Sequence, residues 1–85
     1  MNNAEIEQLK LLVEEKYGKG LNTTTDFESF SVDLHYKAQL DLSASTLKRL
    51  WGYVSDSHKP RVGTLDVLAC YLGHADYRAF VRWLK

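Results

Sequence analysis

The side chains best suited to do chemistry lie in the segment 43–54, SASTLKRLWGYV. Wound as an α-helix at about 100° per residue, it places Leu47, Leu50, Trp51 and Val54 on one side, at i, i+3, i+4 and i+7. Ser45, Lys48, Arg49 and Gly52 fall on the opposite side with the same spacing. An apolar stripe therefore backs onto a hydroxyl, two cations and a glycine. A helix lying in the DNA major groove needs that combination. Arg and Lys donate to guanine O6 and N7, Ser reaches bases or phosphates, and a small residue permits close approach. Taken alone, the stripe is more simply an ordinary amphipathic helix with its cations in water, and Gly52 a helix terminator.

Around this stripe stand candidate phosphate contacts. Ser43 and Thr46 belong to the start of the same helix, and Lys59 and Arg61 flank Pro60, the chain's one proline. A helix is expected just after Pro60, and its free N–H groups and positive dipole end favour a phosphate. A solvated loop explains Lys59 and Arg61 equally well. Trp51 and Trp83 read as core anchors rather than as platforms for stacked bases, and Tyr53 fits either a core edge or an interface.

The elements that must position these residues are helical throughout. Spacing predicts helices over about 4–17, 26–39, 44–53, 62–72 and 75–84, making one all-α domain over residues 1–85, a compact bundle of about five helices. Ile6, Leu9, Val13 and Tyr17 form the stripe of the first, which Asn2 and Glu5 cap and Gly18 and Gly20 end. In the second, Phe27, Phe30, Leu34 and Ala38 follow a T-x-x-E capping box at Thr25 and Glu28, with Asp26 at the positive end of the dipole. Asp41 reads as the turn residue that follows. Ser43 caps the third helix. The fourth turns Leu65, Leu68, Ala69 and Leu72 inward and stops at Gly73; the fifth does the same with Tyr77, Phe80, Val81 and Leu84. No strand, repeat or low-complexity tract interrupts this pattern.

Composition bounds the rest. Eighty-five residues with 45% hydrophobic content suit one core, and the ten aromatic residues matter because a chain of this size buries only roughly 60% of its unfolded surface. A single cysteine, Cys70, rules out an intrachain disulfide and fits a reducing, cytoplasmic setting. No apolar run reaches membrane-span length, and no leader-like apolar stretch begins the chain, so no membrane role is expected. The net charge is zero, but it is unevenly spread. Residues 1–42 carry four Lys against eight Asp or Glu, whereas residues 43–85 carry seven Lys or Arg against three Asp. Such asymmetry can mark a side that faces a polyanion, although small domains also segregate charge by chance.

Catalytic chemistry finds no foothold. His35, His58 and His74 share no metal-ligand spacing with one another or with Cys70. Cys70 lies between core positions without a base nearby in sequence and reads as a small packed side chain. Gly18-Lys19-Gly20 is too short to cradle a phosphate and follows a helix rather than a strand. The expectation is a protein that is not an enzyme and takes no cofactor or metal.

The order of elements adds a resemblance. Leu42-Ser43-Ala44-Ser45-Thr46-Leu47 is similar to the apolar residue, Ser cap, small polar residues and buried aliphatic residue that follow the turn in the lambda-repressor-like helix-turn-helix superfamily. The run from Pro60 to Gly73, ending Ala69-Cys70-Tyr71-Leu72-Gly73, resembles that family's fourth helix, which follows a proline and closes in Ala-x-x-Leu-Gly. The resemblance covers roughly residues 26–84 and implies that the helix at 44–53 reads double-stranded DNA. It also implies a homodimer on two half-sites, with the first or fifth helix as the dimer face. The chain departs from the family in four places: Lys37 or Ala38 stands at a usually small position, Asp41 at the turn glycine, the 52–60 loop is longer, and Asp26 and Glu28 stand where the family's second helix begins near a DNA phosphate, which would repel them. The segment Thr46-Leu47-Lys48-Arg49-Leu50-Trp51-Gly52-Tyr53 also looks like a group of uncharacterised proteins from Bacteroidetes-type bacteria, which implies a fold but no activity.

Two functions stay open on this reading. One is a DNA-binding module using Ser45, Lys48 and Arg49 toward base edges. The other is a protein-interaction module on the same fold, favoured by the zero net charge and the acidic start of the second helix, with Tyr36, Tyr53 and Trp83 as an aromatic patch. A purely structural domain is the remaining alternative.

Overall fold

Phe27, Phe30 and Leu34, three and four residues apart, have no solvent exposure at all, and the other helices gather around them. The computed structural model describes residues 3–52 and 61–85, with side chains from Ala4 onward. Asn2, Tyr53, Val54, His58, Lys59 and Pro60 lie outside the described residues. Within them are five helices and no strand: α1 (Asn3–Tyr17), α2 (Thr24–Ala38), α3 (Ala44–Leu50), α4 (Val62–Tyr71) and α5 (Tyr77–Leu84). α2 packs chiefly on α3, α4 on α5, and α1 on α4. The radius of gyration, 11.9 Å, is close to the about 12 Å expected of a packed chain of this length. No described helix is long and apolar enough to cross a membrane.

The periodic apolar positions do face inward. Ile6, Leu9 and Val13 of α1, Leu47 of α3, Leu65, Leu68 and Ala69 of α4, and Tyr77 and Phe80 of α5 join the three α2 residues in one buried cluster. Leu21, in the connection after α1, is buried with them, although no helical spacing singles it out. Aromatic rings meet edge-on across the helices. Tyr17 approaches Phe30 with centroids 4.8 Å apart, and Tyr71 approaches the same ring at 5.3 Å. The Tyr17 hydroxyl donates to Asp33 Oδ2 at 2.8 Å. Burial, and then the neighbouring Asp33 carboxylate, push its pKa up to about 12, because both disfavour the phenolate.

Several helix ends depart from the expected ones, for polar reasons in α2 and α5 and for a backbone reason in α3. α2 begins two residues early. Its cap is Thr23, not Thr25, and the partner is Asp26, not Glu28: Thr23 Oγ1 accepts from the Asp26 N–H at 3.1 Å. Asp26 Oδ2 in turn accepts from the N–H groups of Thr23 and Asn22, while its Oδ1 pairs with Lys19 at 2.9 Å. This register wins because it places a cation within reach of the capping carboxylate. At the other end, the left-handed turn residue is Gln39, with φ 56°, rather than Asp41. The Leu40 N–H reaches back to the Leu34 carbonyl at 3.0 Å, the six-to-one bond that closes a helix C-terminus.

α3 stops at Leu50 rather than running to residue 53, because Gly52 has φ +77°, a backbone conformation that Cβ-bearing residues avoid. α5 starts at Tyr77 rather than at 75. Asp76 caps it by accepting from the Ala79 N–H at 2.8 Å, and Asp66 of α4 accepts from the Tyr77 N–H at 2.9 Å. Those two carboxylates satisfy N–H groups that would otherwise be lost to the core.

The Asp26 cluster makes a testable pH dependence. The Lys19 ammonium, followed by the backbone N–H groups of Asn22 and Thr23, holds the Asp26 carboxyl far below the usual carboxylate range. A carboxyl whose pKa is depressed in the folded state contributes stability above its unfolded value, about pH 4, and loses that contribution as pH falls toward the folded value. Urea midpoints should therefore decline below about pH 4, and in Asp26→Asn the midpoint should be lower at neutral pH with a flatter acid limb. An acid limb identical in the two proteins would remove Asp26 from the explanation.

Candidate nucleic-acid interface

α3 is a seven-residue helix held by one fully buried side chain, Leu47. Leu50 and Trp51 add half-buried contacts, and the Trp51 ring meets Phe27 edge-on at 6.1 Å. The opposite side carries the expected polar stripe. Ser45, Arg49 and Gly52 are exposed, and Lys48 is half-buried, drawn nearer the body of the protein than an outward-facing cation would be. Gly52 needs no close approach to explain it, since its positive φ already requires glycine.

Ser43 caps α3 as expected. Its Oγ accepts from the Thr46 N–H at 3.2 Å and lies 2.9 Å from Thr46 Oγ1. Each hydroxyl carries one proton, and the bond between them uses one. The pair therefore keeps a single O–H for a phosphate while the cap stays intact. Arg61 is exposed and occupies the capping position of α4, without a side-chain cap bond. Five of the predicted contacts, Ser43, Ser45, Thr46, Lys48 and Arg49, thus come together on α3 and its cap. Arg61 belongs to another helix, and Lys59 lies outside the described residues.

Two features of this region could not be read from local spacing. Lys10 of α1 reaches the Leu50 carbonyl at 3.4 Å while also pairing with Glu7 at 2.7 Å. It places a cation on the negative end of the α3 dipole, 40 residues away in sequence. Ser31 of α2 donates to the Leu42 carbonyl and ties the turn before α3 to the helix behind it. At the start of α2, the Asp26 charge is engaged by Lys19, which leaves Glu28 as the exposed carboxylate there.

Three sequence expectations need correction. Trp83 is 61% exposed and is no core anchor; its ring is tilted against the His74 imidazole, with centroids 5.2 Å apart, and stacks at 6.0 Å on Phe80 at the edge of the buried cluster. Cys70 is exposed rather than packed, and its Sγ donates to the Ala75 carbonyl at 3.3 Å. Tyr36 is 75% exposed. It borders a depression with Val32, His35 and Leu42, whereas Trp83 borders another with Leu12 and Leu72, so these two aromatics do not share a patch. Among the described residues, no three His, Cys, Asp or Glu side chains come together as a metal site would require. No protein-family model, characterised protein or solved structure compared with this chain matches it.

Proposed function

We propose that this domain binds double-stranded DNA, with α3 in the major groove, on a lambda-repressor-like helix-turn-helix arrangement of α2 and α3. One observation carries the reading. α3 is pinned from behind by Leu47, Ser45 and Arg49 are exposed on the side away from that anchor, and Lys48 stands half-buried at the edge of that side. A reading helix needs an anchored back and a donor-rich front, and a five-residue connection from Gln39 to Ser43 sets it against a supporting helix. Lys48 and Arg49 supply charge and bidentate donors, Ser45 a hydroxyl near the base edges, and Ser43 with Thr46 one remaining hydroxyl proton for a phosphate.

Titration of a fluorescent mixed-sequence duplex at several salt concentrations tests this. Binding should weaken with a log–log slope of about −0.9 for each phosphate neutralised. Lys48→Ala and Arg49→Ala should each reduce affinity about tenfold or flatten the slope by about one unit, whereas Arg78→Ala on α5 should change neither. Absence of binding at about 10⁻⁴ M protein in low salt would eliminate the proposal.

The alternative reading, a protein-interaction module on the same fold without DNA binding, rests on the exposure of Trp83.

A further inference from the structure

The side of α5 turned away from the core exposes Arg78, Arg82 and Trp83, and Lys85, also exposed, follows its last turn. On a helix advancing about 100° per residue, Arg78 and Arg82 stand about 40° apart, and the half-buried Ala79 falls between Arg82 and Trp83. The face is thus divided lengthwise, with two guanidinium groups on one flank, a small residue along the middle and an indole on the other flank. Among the described residues, no side chain pairs with Arg78, Arg82 or Lys85. Asp66 and Asp76, at the start of α5, are already engaged, since they accept from the N–H groups of Tyr77 and Ala79. On the indole flank a depression opens beside Trp83, lined by Leu12, Leu72 and His74, with Glu15 and Lys16 at its α1 edge. The Lys16 ammonium is turned to the Tyr71 carbonyl, whereas Glu15 is exposed.

We propose that this face docks an acidic segment of a partner protein, whose carboxylates meet Arg78 and Arg82 and whose large apolar side chain enters the depression beside Trp83. Charge complementarity selects the partner. Two guanidinium groups one helical turn apart present planar forks that match carboxylates, and neither must first leave a carboxylate of its own chain. Trp and Arg are also the residue types that dominate the centres of protein interfaces, and here they share one side of one helix. Duplex DNA suits the face less well, because a phosphate backbone leaves Trp83 uncovered and meets the Glu15 carboxylate beyond it with like charge. The same carboxylate orients the guest: its acidic groups belong on the arginine flank and its apolar group at Trp83. A contact one helix wide is small and its charges lie at the surface, so an affinity of about 10–100 µM that weakens with salt is expected. The proposal rests on the protein-interaction reading for this face alone, and α3 takes no part in it, so it holds with or without DNA binding.

Selection from a displayed library of random peptides of about a dozen residues, with the wild-type chain as bait, provides the test. Enriched peptides should carry several carboxylates and at least one large apolar side chain. Synthesised and titrated by fluorescence anisotropy, they should bind Arg78→Glu/Arg82→Glu and Trp83→Ala at least about tenfold more weakly than the wild type. Arg78→Gln/Arg82→Gln, which removes the charges without inverting them, should show a smaller loss in the same direction with an unchanged helical spectrum, which separates loss of the contact from loss of the fold. Enrichment of basic or neutral peptides that still require Trp83 would overturn the acidic chemistry while keeping the protein-interaction reading of this face. No enrichment, or peptides indifferent to all three variants, would overturn both. A flatter salt slope for duplex DNA in Arg78→Gln/Arg82→Gln, or a wild-type dimer that this variant abolishes, would give the face to DNA or to a second copy and overturn the proposal as well.

Discussion

Phe30→Ala is expected to lower stability by about 3–5 kcal/mol, among the largest effects of a single truncation in this molecule. Its ring has no solvent exposure and is met edge-on by Tyr17 from α1 and by Tyr71 from α4. Removing it therefore opens a cavity where three helices converge. The aromatic partners cannot collapse into that space freely, because the Tyr17 hydroxyl is tied to Asp33 and the Lys16 ammonium lies over the Tyr71 ring, 4.7 Å from its centroid. A chain of 85 residues has about 4–13 kcal/mol of stability to lose, so the variant is left marginal or unfolded. Urea denaturation followed by far-ultraviolet circular dichroism measures the loss, and an unchanged slope would assign it to the folded state. A loss under about 1 kcal/mol would mean that the two tyrosine contacts do not hold the ring in place.

The second large effect is at Leu47, where alanine should cost about 2–5 kcal/mol. Here the loss falls unevenly over the structure. A seven-residue helix has little stability of its own, since nucleation is costly and its last turn already breaks at Gly52. α3 survives by its cap and by the burial of Leu47, with Leu50 and Trp51 in support. Hydrogen exchange should register this as faster exchange of the Trp51 amide, which donates to the Leu47 carbonyl at 3.0 Å. The Leu40 amide, bonded to the Leu34 carbonyl at the end of α2, should keep more of its protection. On the proposed function, DNA affinity should fall with Lys48 and Arg49 unaltered, because the side chains would no longer be presented on one face. Equal loss of protection at both amides would show α3 to be no weaker than the rest.

The contrast between these two sites bears on function. Phe30 belongs to the part of the molecule that must be rigid for anything to be presented, whereas α3 sits on a thin attachment and gains its order from neighbours. The Lys10 contact to the Leu50 carbonyl and the Ser31 contact to the Leu42 carbonyl are that attachment in polar form. Both tie the ends of α3 to longer helices through backbone carbonyls.

Much of the architecture was legible in the residues alone, and the reason is periodicity. Leu9 and Val13, Phe27, Phe30 and Leu34, Leu65 and Leu68, and Tyr77 and Phe80 lie inside because a helix returns every 3.6 residues or so to the same face, and only one face of each helix can be buried. The polar stripe of α3 follows from the same rule, as does the Ser43 cap, whose bond spans only three residues. Local chemistry of that range is written in the chain directly.

Tertiary structure decided what depended on distant partners. Thr23 rather than Thr25 caps α2 because Lys19 and Asp26 meet there, and Tyr77 rather than residue 75 opens α5 because Asp66 waits on α4. Trp83 and Leu11 are as apolar as the residues that fill the interior, yet they remain outside because a core this small is complete without them. Spacing along a helix determines which residues share a face. Which faces find a neighbour, and which stay uncovered, is settled by the packing of all five helices at once.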